Sequence, residues 1–233
     1  MMSPTQLTAK RKHSHSSSAV ATPEVLQQIV VSWFLSNSRS FPWRDTQNPF
    51  HVFVAEMLLR QTQAERVIGP YQELINKYPD ENTLASADVE ALRAWFRPLG
   101  LSKRADNLVQ AAETIVKDFQ GIVPNNLNAL LSLPGVGIYS ASAILCLSFG
   151  GRVPMIDESS GRLLRRVFVL PSRGPAYSDK KLLQLASDIL PEKSSREFNL
   201  GLLDIAAKFC HSRMPDCRSC PLVSMCAFGA SRA

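Results

Sequence analysis

From Pro23 onward the apolar residues of this chain recur at spacings of three and four, and no run alternates apolar and polar about a hairpin turn. Val25, Ile29, Val30, Trp33 and Phe34 trace one such buried face. That period predicts an all-α protein built from many short helices. Thr22-Pro23-Glu24 reads as its start, with an N-cap residue, a proline at the first helical position and an acid in the first turn. Further helices are expected at about 50–62, 64–77, 87–97, 103–119, 126–132, 138–149, 158–168, 178–190 and 195–210. The breaks carry Pro70, Pro79, Gly100, Pro124, Pro134-Gly135 and Gly150-Gly151. No repeat of solenoid period is present. Residues 1–21, including Lys10-Arg11-Lys12-His13, are polar, basic and aperiodic, and are expected to form a disordered leader.

Composition narrows the setting. The 233 residues are 45% hydrophobic and 20% charged, enough for a sizeable core. Ala141–Phe149 is a strongly apolar stretch, far short of the roughly 18 residues of a membrane span. The N-terminus lacks the apolar run of a secretory signal. A soluble, cytoplasmic monomer is expected. Lys and Arg exceed Asp and Glu by 26 to 20, a balance that suits a polyanionic partner.

Three constellations carry chemistry. The first is Cys210-x6-Cys217-x2-Cys220-x5-Cys226, four thiols on one short segment that can surround a metal centre. On donor chemistry alone, a tetrahedral zinc and an iron–sulfur cluster both remain open. The odd total of five cysteines argues against a disulfide framework. The second is Leu133-Pro134-Gly135-Val136-Gly137 between two helical segments. Its glycines leave backbone N–H groups exposed ahead of a helix N-terminus, where an anion such as a DNA phosphate sits well. A plain helix–helix turn is the alternative. The third is a pair of acids. Glu56 interrupts the apolar run His51–Leu59, so burial should raise its pKa and suit it to general-acid work, unless it pairs with Arg60. Asp157 precedes a helix as an N-cap, and a carboxylate held ionised there can also activate water or stabilise a cation.

Together these motifs resemble the helix-hairpin-helix DNA glycosylases of the endonuclease III and MutY superfamily, over about Phe41 to Cys226. The resemblance implies two helical lobes with double-stranded DNA in the cleft between them. One is a barrel of about residues 41–152 holding the hairpin. The other joins residues 22–40 to 153–233 and carries a [4Fe–4S] cluster on Cys210, Cys217, Cys220 and Cys226. It implies that Gly135, Val136 and Gly137 grip a phosphate, with a monovalent cation at the hairpin. Arg60, Gln61 and Leu101 fall where the family inserts residues into the duplex. Glu56 would serve the leaving base and Asp157 the sugar. Bacterial and archaeal members imply a nucleoid-associated protein.

The family's diagnostic hairpin position is Tyr139, eighteen residues before Asp157. Bifunctional members place a lysine there to form a Schiff base, so Tyr139 implies a monofunctional glycosylase. Phe41-Pro42-Trp43-Arg44 and Ala55–Gln63 are similar to both the adenine glycosylases and the thymine–guanine mismatch glycosylases. The chain ends seven residues after Cys226, without the further domain of the adenine enzymes. With Tyr139, Leu99-Gly100-Leu101-Ser102 and Phe198–Asp204, this favours a thymine or uracil mismatch glycosylase over a short adenine glycosylase. A non-catalytic DNA-binding module would need neither Glu56 nor Asp157. Glu158-Ser159-Ser160-Gly161 departs from the family pattern and leaves substrate choice open. Trp33, Trp43 and Trp95 are expected in packing roles.

Overall fold

The structure is a computed structural model that describes residues 22–60, 62–97, 100 and 102–232, with Lys103 described by its backbone alone. The leader, Gln61 and Leu101 lie outside the described residues.

The described residues form α-helices joined by turns, with no strand among them. In chain order these are α1 (Pro23–Asn37), α2 (Pro49–Leu59), α3 (Ile68–Lys77), α4 (Glu81–Ala85), α5 (Val89–Phe96) and α6 (Ser102–Asp118). They continue as α7 (Leu127–Ser132), α8 (Ile138–Phe149), α9 (Glu158–Phe168), α10 (Lys180–Asp188), α11 (Ser195–Lys208) and α12 (Ala227–Ala230). The spans of α8 and α9 match the sequence expectation. By contrast, α2 stops at Leu59, because Arg60 already has extended backbone at φ −60° and ψ 118°. The helix expected at 64–77 opens as a 3-10 turn over Ala64–Val67. Helix α4 was not foreseen. At five residues it is too short to show a period, and it rests on an Asp80–Thr83 capping box.

Buried side chains form two cores. One draws on Phe34, on Phe41 through Met155 and on Leu200. The other joins Leu26 and Val30 of α1 to Ile156 through Cys226. Gly201 brings the first helix onto the last long one: a Cβ there would stand 2.7 Å from Val30 Cγ1 and 3.0 Å from its carbonyl oxygen. Any larger residue would force α1 and α11 apart. The chain passes from one core to the other within a single peptide, since Met155 packs in the first and Ile156 in the second. Asp157 comes next. No helix among the described residues is long and apolar enough to cross a membrane.

Candidate active site

Glu56 sits in the middle of α2, a helix buried on nearly every side. Asn48 starts that helix by accepting from Phe50 N at 2.9 Å, and Pro49 occupies its first position. Glu56 does not pair with Arg60. Its residue is 4% exposed, and Arg60 turns away to donate from Nη1 to the Gly135 carbonyl at 2.6 Å. Without a paired cation, burial pushes the Glu56 carboxyl up to about 8. The negative charge of Asp157 adds to this and Arg44 opposes it. The carboxyl is therefore protonated at neutral pH.

Asp157 is the N-cap of α9. Its Oδ1 accepts from Ser159 N at 3.0 Å, from Ser160 N at 2.7 Å and from Ser160 Oγ at 2.7 Å. Oδ1 is thus taken up by the helix, Oδ2 has no hydrogen-bond partner among the described residues, and the residue lines the adjoining cavity. The departure at 158–161 also has a packing explanation. Glu158 Oε1 accepts from Ala176 N at 2.8 Å, Ser160 completes the capping box, and a Cβ on residue 161 would meet Ala176 Cβ at 2.7 Å. Of the four, Ser159 alone faces the cavity.

That cavity, about 290 Å³, brings Glu56, Tyr139 and Asp157 onto one wall system. Tyr139 stands in the first turn of α8, and burial, then Glu56 and Asp157, hold its phenol well above the usual range. Its neighbours Ala143 and Ile144 are fully buried. The remaining walls are mostly apolar, from Phe41, Trp43, Leu147, Met155, Leu200 and Leu203.

Two arginines that line the cavity escaped sequence reasoning as site residues. Asp204, 1% exposed, takes Arg44 in a bidentate pair at 2.8 and 2.9 Å, and Arg39 Nε at 2.7 Å. Burial raises the Asp204 carboxyl, and the Arg44 and Arg39 contacts outweigh this and hold it low. Both guanidiniums lie 5.2 Å from the Phe41 ring centroid, and Phe41 stacks on Trp43 at 5.0 Å. Asp204 buried on an apolar helix face was the signal available. Trp43 is thus both core and cavity wall, whereas Trp33 packs edge-on to Phe209 and Trp95 donates to Glu73.

The hairpin glycines do different work. Gly135 has φ +80°, and a Cβ there would stand 2.8 Å from Met57 Cε and 2.9 Å from Asn107 Cβ. It presses the turn against α2 and α6, and Val136 N closes the turn on Leu133 O at 3.1 Å. Gly137 is the exposed N-cap of α8 with open space where a Cβ would be. Only the second glycine leaves its surroundings clear for a ligand.

Cys210, Cys217, Cys220 and Cys226 line one small pocket with Leu163, Arg166, Phe209 and Phe228. Arg166 Nη1 approaches Cys210 Sγ at 3.2 Å, and Gly229 N approaches Cys226 Sγ at 3.3 Å, so N–H donors already face the sulfurs. Burial, then the other three cysteines, pushes the Cys220 thiol up to about 11. Among the described residues no three His, Cys, Asp or Glu side chains converge as one metal ion requires.

Residues 54–190 match the HhH-GPD superfamily base excision DNA repair protein pattern, and the chain belongs to that superfamily. Among its relatives, it is 36% identical over 210 residues to a thymine-DNA glycosylase of Aeropyrum pernix, covering 88% of this chain and 94% of the relative. It is 37% identical to a thymine/uracil-DNA glycosylase of Pyrobaculum aerophilum, over 88% and 92%. A solved thermostable thymine-DNA glycosylase superposes with a TM-score of 0.81 at 32% identity, covering 90% of this chain and 97% of the other. An adenine DNA glycosylase of Buchnera aphidicola is 31% identical, and the match spans 58% of its length.

Proposed function

We propose that this protein is a monofunctional DNA glycosylase that hydrolyses the N-glycosidic bond of thymine or uracil mispaired with guanine in double-stranded DNA. The observation that carries this reading is the cavity that protonated Glu56 and Asp157 both line, among mostly apolar walls. Relatives named for thymine and uracil, matched over nearly their whole lengths, support the choice of base.

In this reading the mispaired nucleotide leaves the duplex stack and enters the cavity, at a cost of a few kcal/mol that is least for a mismatch. Glu56 donates its proton towards the departing base as the bond from sugar carbon to base nitrogen breaks. Asp157 stabilises the positive charge that develops on the sugar and takes a proton from the attacking water. The products are a free base and an abasic site. Tyr139 has no amine to attack the sugar, so no Schiff base forms and the strand stays intact. The Gly137 turn at the N-terminus of α8 grips a phosphate, where a monovalent cation on the hairpin would add charge. Arg60, latched on Gly135, lines the cavity, and the family resemblance assigns it, with Gln61 and Leu101, to the duplex.

The four cysteines fit a [4Fe–4S] cluster. All four thiols line one pocket, and N–H donors face two of the sulfurs. Bound there, the cluster would supply structural closure to the loop over 210–226, leaving Lys208, Arg213 and Arg218 to face phosphates. The chain then divides into two lobes, a barrel lobe of about 41–152 and a cluster lobe of 22–40 with 153–233, with Phe34, Met155 and Leu200 of the second packing into the core of the first, and the enzyme acts as a monomer in the cytoplasm.

The test is single-turnover excision on duplexes with T:G, U:G, A:G, A opposite oxidised guanine and matched pairs, each with and without alkali. Excision at T:G or U:G with breaks only after alkali is expected. Excision at the adenine substrates instead refutes the choice of base, and breaks without alkali refute the monofunctional assignment.

A further inference from the structure

The described residues between α8 and α9 have no regular structure, yet Asp157 stands at their end. Met155 is buried in one core and Ile156 in the other, which anchors the segment by apolar contact. Such contact is non-directional and does not set register along the chain. Arg152 ties the upstream end by donating to the Leu190 carbonyl at 2.6 Å, and the α9 cap holds Asp157 Oδ1; between them the directional side-chain ties come from one residue. Asn199 of α11, 1% exposed, accepts from Met155 N on Oδ1 at 2.9 Å and donates from Nδ2 to Val153 O at 2.9 Å. The same Nδ2 lies 3.4 Å from Cys146 Sγ on α8, the helix that carries Tyr139. One amide thus holds both the segment that ends in Asp157 and the helix that begins near Tyr139.

We propose that Asn199 is a positioning residue for Asp157: its two bonds to Val153 and Met155 set where the carboxylate stands in the cavity. Neighbouring residues of α11 do the parallel task for the opposite wall, since Arg196 donates to the Arg44 carbonyl and Asp204 pairs with the Arg44 guanidinium. Helix α11 therefore references both sides of the cavity to one frame, and Asn199 is its contact with the acid's side. Asn199 makes no contact with the cavity itself. Its effect must pass through Asp157, and it rests on the excision reading above.

The experiment compares wild type, Asn199→Leu and Asn199→Asp, with Leu84→Ala as a destabilised control from a fully buried position in α4. Each is read for single-turnover excision from a T:G duplex, for affinity towards a duplex bearing an abasic-site analogue opposite guanine, and for thermal midpoint. Asn199→Leu should lose on the order of 100-fold in the excision rate, the scale of an ångström's misplacement of a catalytic group. Its duplex affinity should be unchanged, and Leu84→Ala should keep its rate despite a comparable fall in midpoint. Asn199→Asp keeps the acceptor for Met155 N and should lose less rate than the leucine variant. If the leucine protein does not fold, the aspartate variant carries the test, and an unimpaired rate in it overturns the proposal. An undiminished rate in Asn199→Leu, a joint fall of rate and affinity, or an equal loss of rate in Leu84→Ala also overturns it. Wild-type protein that excises nothing overturns the function reading and takes this proposal with it, a result distinct from a normal wild type beside an unimpaired variant.

Discussion

Replacing Glu56 with glutamine separates what this carboxyl costs the fold from what it does for the chemistry. In the unfolded chain its pKa is the ordinary 4.5, and in the folded protein burial and the charge of Asp157 raise it to about 8. The folded state therefore holds the proton more tightly. The stability from that proton is complete below about pH 4.5 and is lost progressively as pH rises to about 8. At roughly 1.4 kcal/mol per pH unit, the gap from 4.5 to about 8 amounts to about 5 kcal/mol, an upper limit because the cavity admits water. Glutamine has the same shape and does not titrate. Urea unfolding of wild type and Glu56→Gln across this pH range should show equal stability at the acid end. The variant's advantage should then widen towards several kcal/mol at the alkaline end. A difference that stays constant with pH, or that narrows, would refute the argument that Glu56 is desolvated and protonated in the fold. The same variant should lose roughly 10²–10⁴-fold in excision, the usual contribution of a general acid.

The wild-type excision rate should be level up to about pH 8 and fall about tenfold per pH unit above it, since the neutral acid is the active form; a rate that climbs through that range contradicts the assignment. Asp157→Asn should abolish excision yet bind duplex normally and keep α9 intact, because asparagine caps a helix about as well as aspartate. Circular dichroism and anisotropy check this, and loss of binding along with excision argues against the role. Gly135→Ala must place a Cβ 2.8 Å from Met57 Cε at φ +80°, so it should destabilise the protein by roughly 1–3 kcal/mol and weaken duplex affinity. Cys220→Ser should abolish the iron bound per protein and lower the thermal midpoint; full iron occupancy in that variant removes Cys220 from the ligand set.

Local signals reached some residues of the site and missed others for definite reasons. Glu56 was legible because a carboxyl within a run of apolar residues is a conflict that one helix cannot resolve. Asp157 was legible because a helix began beside it. The hairpin glycines were read as a pair, but their division of labour depends on Met57 and Asn107, which come from other helices. Arg39 and Arg44 remained obscure as site residues because their place is decided by Asp204, 165 and 160 residues further along the chain. Gly161 appeared anomalous within α9 until Ala176 was found pressed against it.

Taken alone, the sequence determined the helical class, the ends of its strongly periodic helices, the cysteine run and the two acids. These are matters of spacing between near neighbours, governed by the 3.6-residue period and by capping. Only the tertiary structure decided that Glu56 faces a cavity instead of pairing with Arg60, that Asp157 lines the same space, and that α11 references both walls. The physical reason is that a carboxyl's protonation depends on what is packed around it in space, and those neighbours include residues of α8, α9 and α11, all distant in sequence.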